Sequence, residues 1–169
     1  MKPTLNPGDI HLIVNGKLNV MQAFNSDGTP SNIFPTVKPG GGLVHTASAF
    51  PHGAYGPDQS VKGGDTIAQL YTLGVAIPTG EQEPFEVRRS YGWWFIPMND
   101  YEGKMAKFGR AGFGMHGGGK VSDFWDPWQE LTYTMGCVRL HNAVVKALAS
   151  AVDRVVGRGN TVWLTVTQE

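Results

Sequence analysis

The amino-acid sequence predicts a mainly β fold with one principal α-helix near its C-terminal end. Three observations carry that reading. Gly (23) and Pro (11) together make up about a fifth of the 169 residues, against roughly 12% in an average chain, a composition that favours short strands and frequent turns. Apolar runs of strand length recur between clusters of turn residues. Only the stretch after Asn142 sustains the three- and four-residue apolar spacing of a helix. With 41% hydrophobic and 17% charged residues, the chain can bury a core and does not read as disordered. Its length fits one domain over residues 1–169.

The first element is a hairpin. Ile10 to Val14 and Leu18 to Met21 flank Asn15-Gly16, the pair that best tolerates the two positive φ angles of a type I′ turn. Residues 25–65 are loop-rich, punctuated by Asp27-Gly28-Thr29-Pro30, Lys38-Pro39-Gly40-Gly41-Gly42 and Lys62-Gly63-Gly64-Asp65. So long a structureless stretch is unusual in a compact fold, so either a short strand lies around Leu43 to Ala49 or the segment is a flap over a site. Thr66 to Ala76 reads as a strand, and Ser90 to Met98 as another, ended by Pro97 and Asn99-Asp100. The helix is capped by Asn142. It carries Val144, Val145, Leu148, Val152, Val155 and Val156 on one face and stops at Gly157 and Gly159. Thr161 to Thr167 alternates, with Val162, Leu164 and Val166 directed to one side of a closing strand.

Fourteen basic residues balance fourteen acidic ones, which leaves no basic excess for a phosphate backbone, so nucleic acid is not an expected partner. No segment approaches the roughly 20 apolar residues of a membrane helix, and the first residues lack the apolar stretch of a signal peptide. Work outside the cytoplasm would therefore need a leader already removed or another export route. The single cysteine, Cys137, excludes an internal disulfide and every C-x-x-C site. Gly112, Gly114 and Gly117 fit G-x-G-x-x-G, and Gly114 to Lys120 fits G-x-x-x-x-G-K. Gly118-Gly119 opposes the helix that either nucleotide site needs, and Val121 stands where Ser or Thr would hold Mg²⁺. No cofactor is expected.

Cys137 lies in Thr134-Met135-Gly136-Cys137-Val138-Arg139-Leu140-His141. A lone cysteine is most often a small buried hydrophobe. Here Gly136 permits a sharp turn, Arg139 supplies positive charge, and the N-terminus of the following helix would favour a thiolate. A base would come from His11, His45, His52, His116 or His141. A zinc site on Cys137, His116 and His141 would lack any standard ligand spacing, so no metal is predicted.

His116-Gly117, with 17 residues between His116 and Thr134, followed by Thr134-x-Gly136-Cys137-x-Arg139, resembles the signature of the L,D-transpeptidase (YkuD-type) catalytic domain. The resemblance extends from about Asp65 to the C-terminus. Gly64-Asp65-Thr66 is similar to the family's approach segment, Tyr91-Gly92-Trp93-Trp94-Phe95-Ile96 to its strand before the histidine, and Gly159-Asn160-Thr161-Val162 to its closing strand. Met135 stands where the family often has His, and Ile67 and Gln69 where it usually has Pro and Gly. His-before-Cys order separates the chain from papain-like peptidases and leaves sortase-like transfer as the nearest mechanistic rival.

The resemblance implies a β-sandwich of mixed sheets and cysteine-dependent acyl transfer on peptidoglycan stem peptides, with attack on the bond between an L-diamino acid and D-Ala. Cys137 would be the nucleophile and His116 the base, oriented by the carbonyl of Gly117 or Gly118. The backbone N–H groups of Gly136 and Cys137 would form the oxyanion hole. Arg139 could anchor a substrate carboxylate or brace the loop, and Thr134 would order the turn. Asp123 to Glu130, with Trp125 and Trp94, could wall the cleft and pair with a substrate amine, or form an ordinary solvated loop pinned by its tryptophans. Water as acceptor would give an L,D-carboxypeptidase. A peptidoglycan-targeting toxin with an immunity protein as partner, or a phage lysis protein, would share this core; a wall-binding module without catalysis is the alternative of another class. The location implied is the periplasm or cell wall.

Overall fold

The computed structural model describes residues 2–34, 46–81 and 84–168. Nine strands are found there: β1 (Ile10–Asn15), β2 (Val20–Asn25), β3 (Thr46–Phe50), β4 (Leu70–Leu73), β5 (Ile77–Pro78), β6 (Trp94–Asp100), β7 (Gly114–His116), β8 (Val138–Leu140) and β9 (Val162–Thr167). The helices are α1 (Phe85–Tyr91), α2 (Lys104–Lys107) and α3 (Asn142–Gly157). The fold is mainly β with one long helix, as the sequence predicts.

The strands run in the order β4-β9-β1-β2-β3-β8-β7-β6-β5, and β4 also pairs with β6, so the sheet closes on itself. β1 lies parallel to β9 and β7 parallel to β8, while the other pairings are antiparallel. Two strands turn the corners between layers. β3 pairs with β2 through Thr46, Ala47 and Ser48 and with β8 through Ala49 and Phe50. β6 pairs with β5 and β7 before and at Pro97, and with β4 through Met98, Asn99 and Asp100. The two mixed layers are therefore continuous. α3 lays Val144, Val145, Leu148, Val152 and Val155 into a core shared with Leu12, Ile96, Met115, Leu140 and Leu164.

Several boundaries differ from the sequence reading. The first hairpin pairs Asn15 with Val20, so the reversal uses four residues rather than the Asn15-Gly16 pair. Asn19 takes the positive φ of 55°, and the Leu18 N–H donates to Asn15 Oδ1 at 3.0 Å. The asparagine acts as a side-chain turn former. Of the strand expected around Leu43 to Ala49, the part from Thr46 onward is β3, and residues 43–45 lie outside the described residues. The strand expected from Thr66 to Ala76 contracts to four residues. The one expected from Ser90 begins at Trp94, because α1 runs to Tyr91; α1 buries none of its residues, so it leaves no apolar periodicity to read. The strand also continues through Pro97, which sits where β6 changes partners and where a missing N–H costs least.

The N-cap of α3 is His141, and Asn142 is its first residue. The Asn142 side chain turns inward instead. Its Oδ1 accepts the Gly118 N–H at 3.1 Å, and its Nδ2 donates to the carbonyls of Phe124 and Asp126, each at 2.8 Å. Gln129, 1% exposed, completes this polar knot: Nε2 donates to Gly118 O and Leu140 O at 3.0 Å, and Oε1 accepts the Asn142 N–H at 2.8 Å. At the far end, Gly159 adopts a φ of 82°, and the Asn160 N–H reaches back to Val155 O at 3.1 Å. That glycine stop matches the sequence reading.

The knot predicts a specific cost. Asn142→Ala leaves a buried N–H and two carbonyls short of a partner, and the expected loss is about 2–4 kcal/mol of unfolding free energy in urea titration. A loss under about 1 kcal/mol would show that the knot does not hold the loop.

Candidate active site

β7 and β8 lie side by side in parallel, with His116 opposite Arg139 and Met115 opposite Val138. His116 ends β7 and Cys137 immediately precedes β8, so both arrive on one rim. They line one cavity of about 770 Å³ together with Arg110, Phe113, Thr134 and Arg139. Residues 51–65 reach it too, through Ala54 and Lys62.

His116 is 2% exposed. Its Nδ1 is 2.8 Å from the Gly117 carbonyl. A carbonyl only accepts, so Nδ1 carries the proton of the neutral ring and Nε2 keeps the lone pair. Between the two carbonyls the sequence left open, Gly117 is the one used; the Gly118 carbonyl is taken by Gln129. Phe95 stacks on the imidazole at 5.9 Å and Tyr91 meets it edge-on at 4.9 Å. Burial, reinforced by the Arg139 charge, pushes its pKa down to about 3. The imidazole is neutral at physiological pH.

Cys137 is half-buried. Gly136 before it holds a φ of 123°, and a Cβ there would stand 2.2 Å from Arg110 Nη2. Only glycine fits this turn. The Thr134 hydroxyl orders it, donating to Cys137 O at 2.8 Å and accepting the Gly136 N–H at 3.1 Å; Thr66 Oγ1 also donates to Cys137 O, at 3.2 Å. The Gly136 N–H is thereby occupied, whereas the Cys137 N–H has no protein partner among the described residues. The Gly114 N–H donates to Sγ at 3.4 Å. α3 begins beyond β8, so its N-terminus does not abut the thiol. Burial pushes the Cys137 pKa up to about 11, against the opposing pull of the Gly114 N–H and the guanidiniums of Arg139 and Arg110. Burial outweighs both charges.

Arg139 is 6% exposed. Its Nη1 bonds Thr132 Oγ1 and its Nη2 donates to Ser90 O at 3.0 Å, while its buried Nε has no partner. Burial lowers its pKa to about 10. Arg110 has no role in the sequence reading, because nothing in the spacing of Gly109-Arg110-Ala111-Gly112 marks it. It donates to the carbonyls of Gln59, Asp65, Gly64 and Met135 at 2.7–3.2 Å and stacks on Phe113 at 4.6 Å. It pins residues 59–65 to the cysteine turn.

Among the described residues the cavity lining carries Lys62, Arg89, Arg110, Lys120 and Arg139 and no Asp or Glu. Arg89 is paired with Glu86 at 2.9 Å and Lys120 with Glu130 at 2.7 Å, so the charge left without a carboxylate partner centres on Arg110 and Arg139. Asp123, Asp126 and Glu130 are not among its lining residues, which accords with the solvated-loop alternative for the spacer rather than the acidic wall. Trp94 and Trp125 line a different cavity. The other described histidines are engaged elsewhere: His11 with Thr165, His52 with Asp65 and Asn19, and His141 with Gln129 O. His45 lies outside the described residues. No group of three metal-ligating side chains occurs among the described residues, and no helix there is long and apolar enough to cross a membrane.

Two outcomes follow from the buried pair. With a thiol pKa near 11, the rate of iodoacetamide alkylation at Cys137 should still be rising above about pH 9. A plateau by about pH 8 would instead reveal a preformed thiolate–imidazolium pair. His116 has a folded pKa below its unfolded value of 6.5, so the folded state binds fewer protons. Its contribution is complete above about pH 6.5 and is lost as pH falls toward 3. The urea midpoint of the wild type should therefore fall more steeply between about pH 6.5 and 4 than that of His116→Gln. Equal slopes would place the ring in solvent.

Comparison with known proteins bears on the family and the fold. A search of curated proteins finds no match. Among solved structures, Bdellovibrio bacteriovorus Bd1075 is similar in fold, with a TM-score of 0.59 and 14% sequence identity, over 98% of this chain and 48% of that one. The present chain thus spans about half the length of that protein. The model of the YkuD family, the L,D-transpeptidase catalytic domain, matches residues 17–164. Covering nearly the whole chain, that match shows that the protein belongs to the YkuD family of L,D-transpeptidase catalytic domains, a cell-wall family of generally cysteine-dependent transpeptidases and carboxypeptidases.

Proposed function

We propose that the protein is a cysteine-dependent acyl transferase acting on peptidoglycan stem peptides in the periplasm or cell wall, at the bond between an L-diamino acid and D-Ala. The observation that carries this is the pairing of β7 with β8. It sets a histidine whose Nδ1 is committed to a carbonyl beside the only cysteine, in one cavity.

Both groups rest neutral, so the thiol proton moves to His116 Nε2 as Sγ attacks the amide carbonyl. The Gly114 N–H and the charges of Arg110 and Arg139 favour the sulfur as it turns anionic. The Cys137 N–H is free to meet the tetrahedral oxyanion, while the Gly136 N–H would first have to leave Thr134. The C–N bond then breaks, His116 returns the proton to the departing D-Ala amine, and a thioester remains on Cys137. An acceptor amine or water cleaves the thioester and restores the thiol. Arg139, buried with an unpaired Nε in the cavity wall, suits a substrate carboxylate. Arg110 and Arg139, lining cations held by carbonyls and a hydroxyl rather than by carboxylates, suit an anionic acyl donor.

One observation favours water as acceptor, an L,D-carboxypeptidase. Among the described residues the lining has no carboxylate of its own, and Glu86 and Glu130, which reach its cations, are already paired with Arg89 and Lys120, so an incoming ammonium meets no free counter-charge there.

Incubation with purified muropeptides tests the reading. The wild type should release D-Ala and form an acyl adduct on Cys137 by mass spectrometry. Cys137→Ala should do neither, and His116→Ala should lower turnover by about 10²–10⁴-fold. If the wild type gives neither product nor adduct, the reading fails; if Cys137→Ala matches it, the nucleophile lies elsewhere.

A further inference from the structure

A second cavity, of about 690 Å³, is lined by Trp93, Trp94, Trp125, Gly80, Glu81 and Lys146. That volume lies within the usual span of small-molecule sites, roughly 300–1,000 Å³. Three indoles in one cleft are unusual on a surface, and the most exposed, Trp125 at 46%, is held rather than loose. Its ring meets Trp93 at 6.0 Å and 68° and Phe124 at 5.9 Å, and Phe124 meets Phe85 at 5.4 Å. Trp93 and Trp125 therefore form an open aromatic corner. Lys146 Nζ stands 5.8 Å from the Trp93 ring centre, and Glu81 is exposed beside it. One cation and one anion cancel, in contrast to the basic lining of the catalytic cavity.

We propose that this cavity binds a neutral pyranose of the glycan strand, an N-acetylhexosamine unit. The C–H face of a sugar ring is flat and weakly apolar and stacks on an indole face, while its equatorial hydroxyls and amide need a donor and an acceptor at the edge. Lys146 and Glu81 supply those. Two chain segments run from one cavity to the other. Arg89, Ser90 and Tyr91 line the catalytic cavity and Trp93 and Trp94 the aromatic one; Gly119 and Lys120 line the first and Trp125 the second. A ligand with a sugar at one end and a peptide at the other could occupy both. The choice of sugar rests on the reading of the protein as a peptidoglycan enzyme, but its test does not require turnover.

Cys137→Ala protein titrated with chitotetraose should show saturable quenching of tryptophan fluorescence, with a dissociation constant in the millimolar range or below. Adding Trp125→Ala should weaken binding at least about tenfold, and Lys146→Met at least about threefold. Both side chains are exposed, and unchanged thermal melts would confirm intact folds. No saturable binding up to about 10 mM, or binding indifferent to both substitutions, would overturn the proposal. Displacement of chitotetraose by a sugar-free stem peptide would also overturn it, marking the cleft as a peptide subsite. If the sugar binds while the wild type releases no D-Ala, the site stands and the enzyme reading falls.

Discussion

The parallel pairing of β7 with β8 is the constraint on which the rest depends. Parallel neighbours require a long crossover, which most folds supply as a helix packed on the sheet. Here residues 117–137 cross without a helix. Such a segment must bury backbone groups that no ladder satisfies, and each unpaired one is costly. Gln129 and Asn142 solve this by presenting side-chain amides, each both donor and acceptor, to Gly118, Phe124, Asp126, Leu140 and each other. The crossover is fixed at its centre by this polar satisfaction together with Trp128, which packs against the core. Its two ends, His116 and Cys137, are thereby fixed as well.

The electrostatics follow from the same burial. A thiol and an imidazole packed into a low-dielectric rim are both held neutral. Around them stand two guanidiniums whose partners are carbonyls and a hydroxyl rather than carboxylates. A carboxylate partner would cancel their field; carbonyl partners solvate the guanidinium yet leave the net charge in place. In the proposed reaction, that charge acts when the sulfur or the oxyanion becomes negative and is idle before. Under that proposal, the arrangement would stabilise the transition state more than the resting thiol.

The sequence discloses the parts of this design that are local. Val162, Leu164 and Val166 alternate, the α3 face repeats at helical spacing, and Gly136 before Cys137 marks a turn that a side chain would block. It discloses the family, and with it the His116–Cys137 spacing, through resemblance. It does not disclose α1, whose side chains are all at least partly exposed, nor the continuation of β6 through Pro97, which depends on a change of partner strand. Arg110 and Gln129 were illegible for a related reason. Their partners lie 45 to 51 residues away for Gln59, Gly64 and Asp65, and across the crossover for Gly118 and Leu140. A single polar residue in a loop announces no such contact. Trp94 and Trp125 read as neighbours of the thiol, yet alternation along β6 and the path of the crossover carry them to another cavity.

Met135 and Arg110 show how the cysteine turn is held without a titratable side chain immediately before Gly136. Met135 lines the cavity with its side chain 49% exposed, and its carbonyl accepts from Arg110 at 3.2 Å. Arg110 is the charged group that holds this turn. It is cationic, buried, and aimed at the same turn, but it acts through charge and backbone anchoring rather than through a titratable donor. A histidine there would lend a proton only over part of the pH range. A guanidinium stays charged throughout. The rim therefore carries one imidazole among the described residues, that of His116.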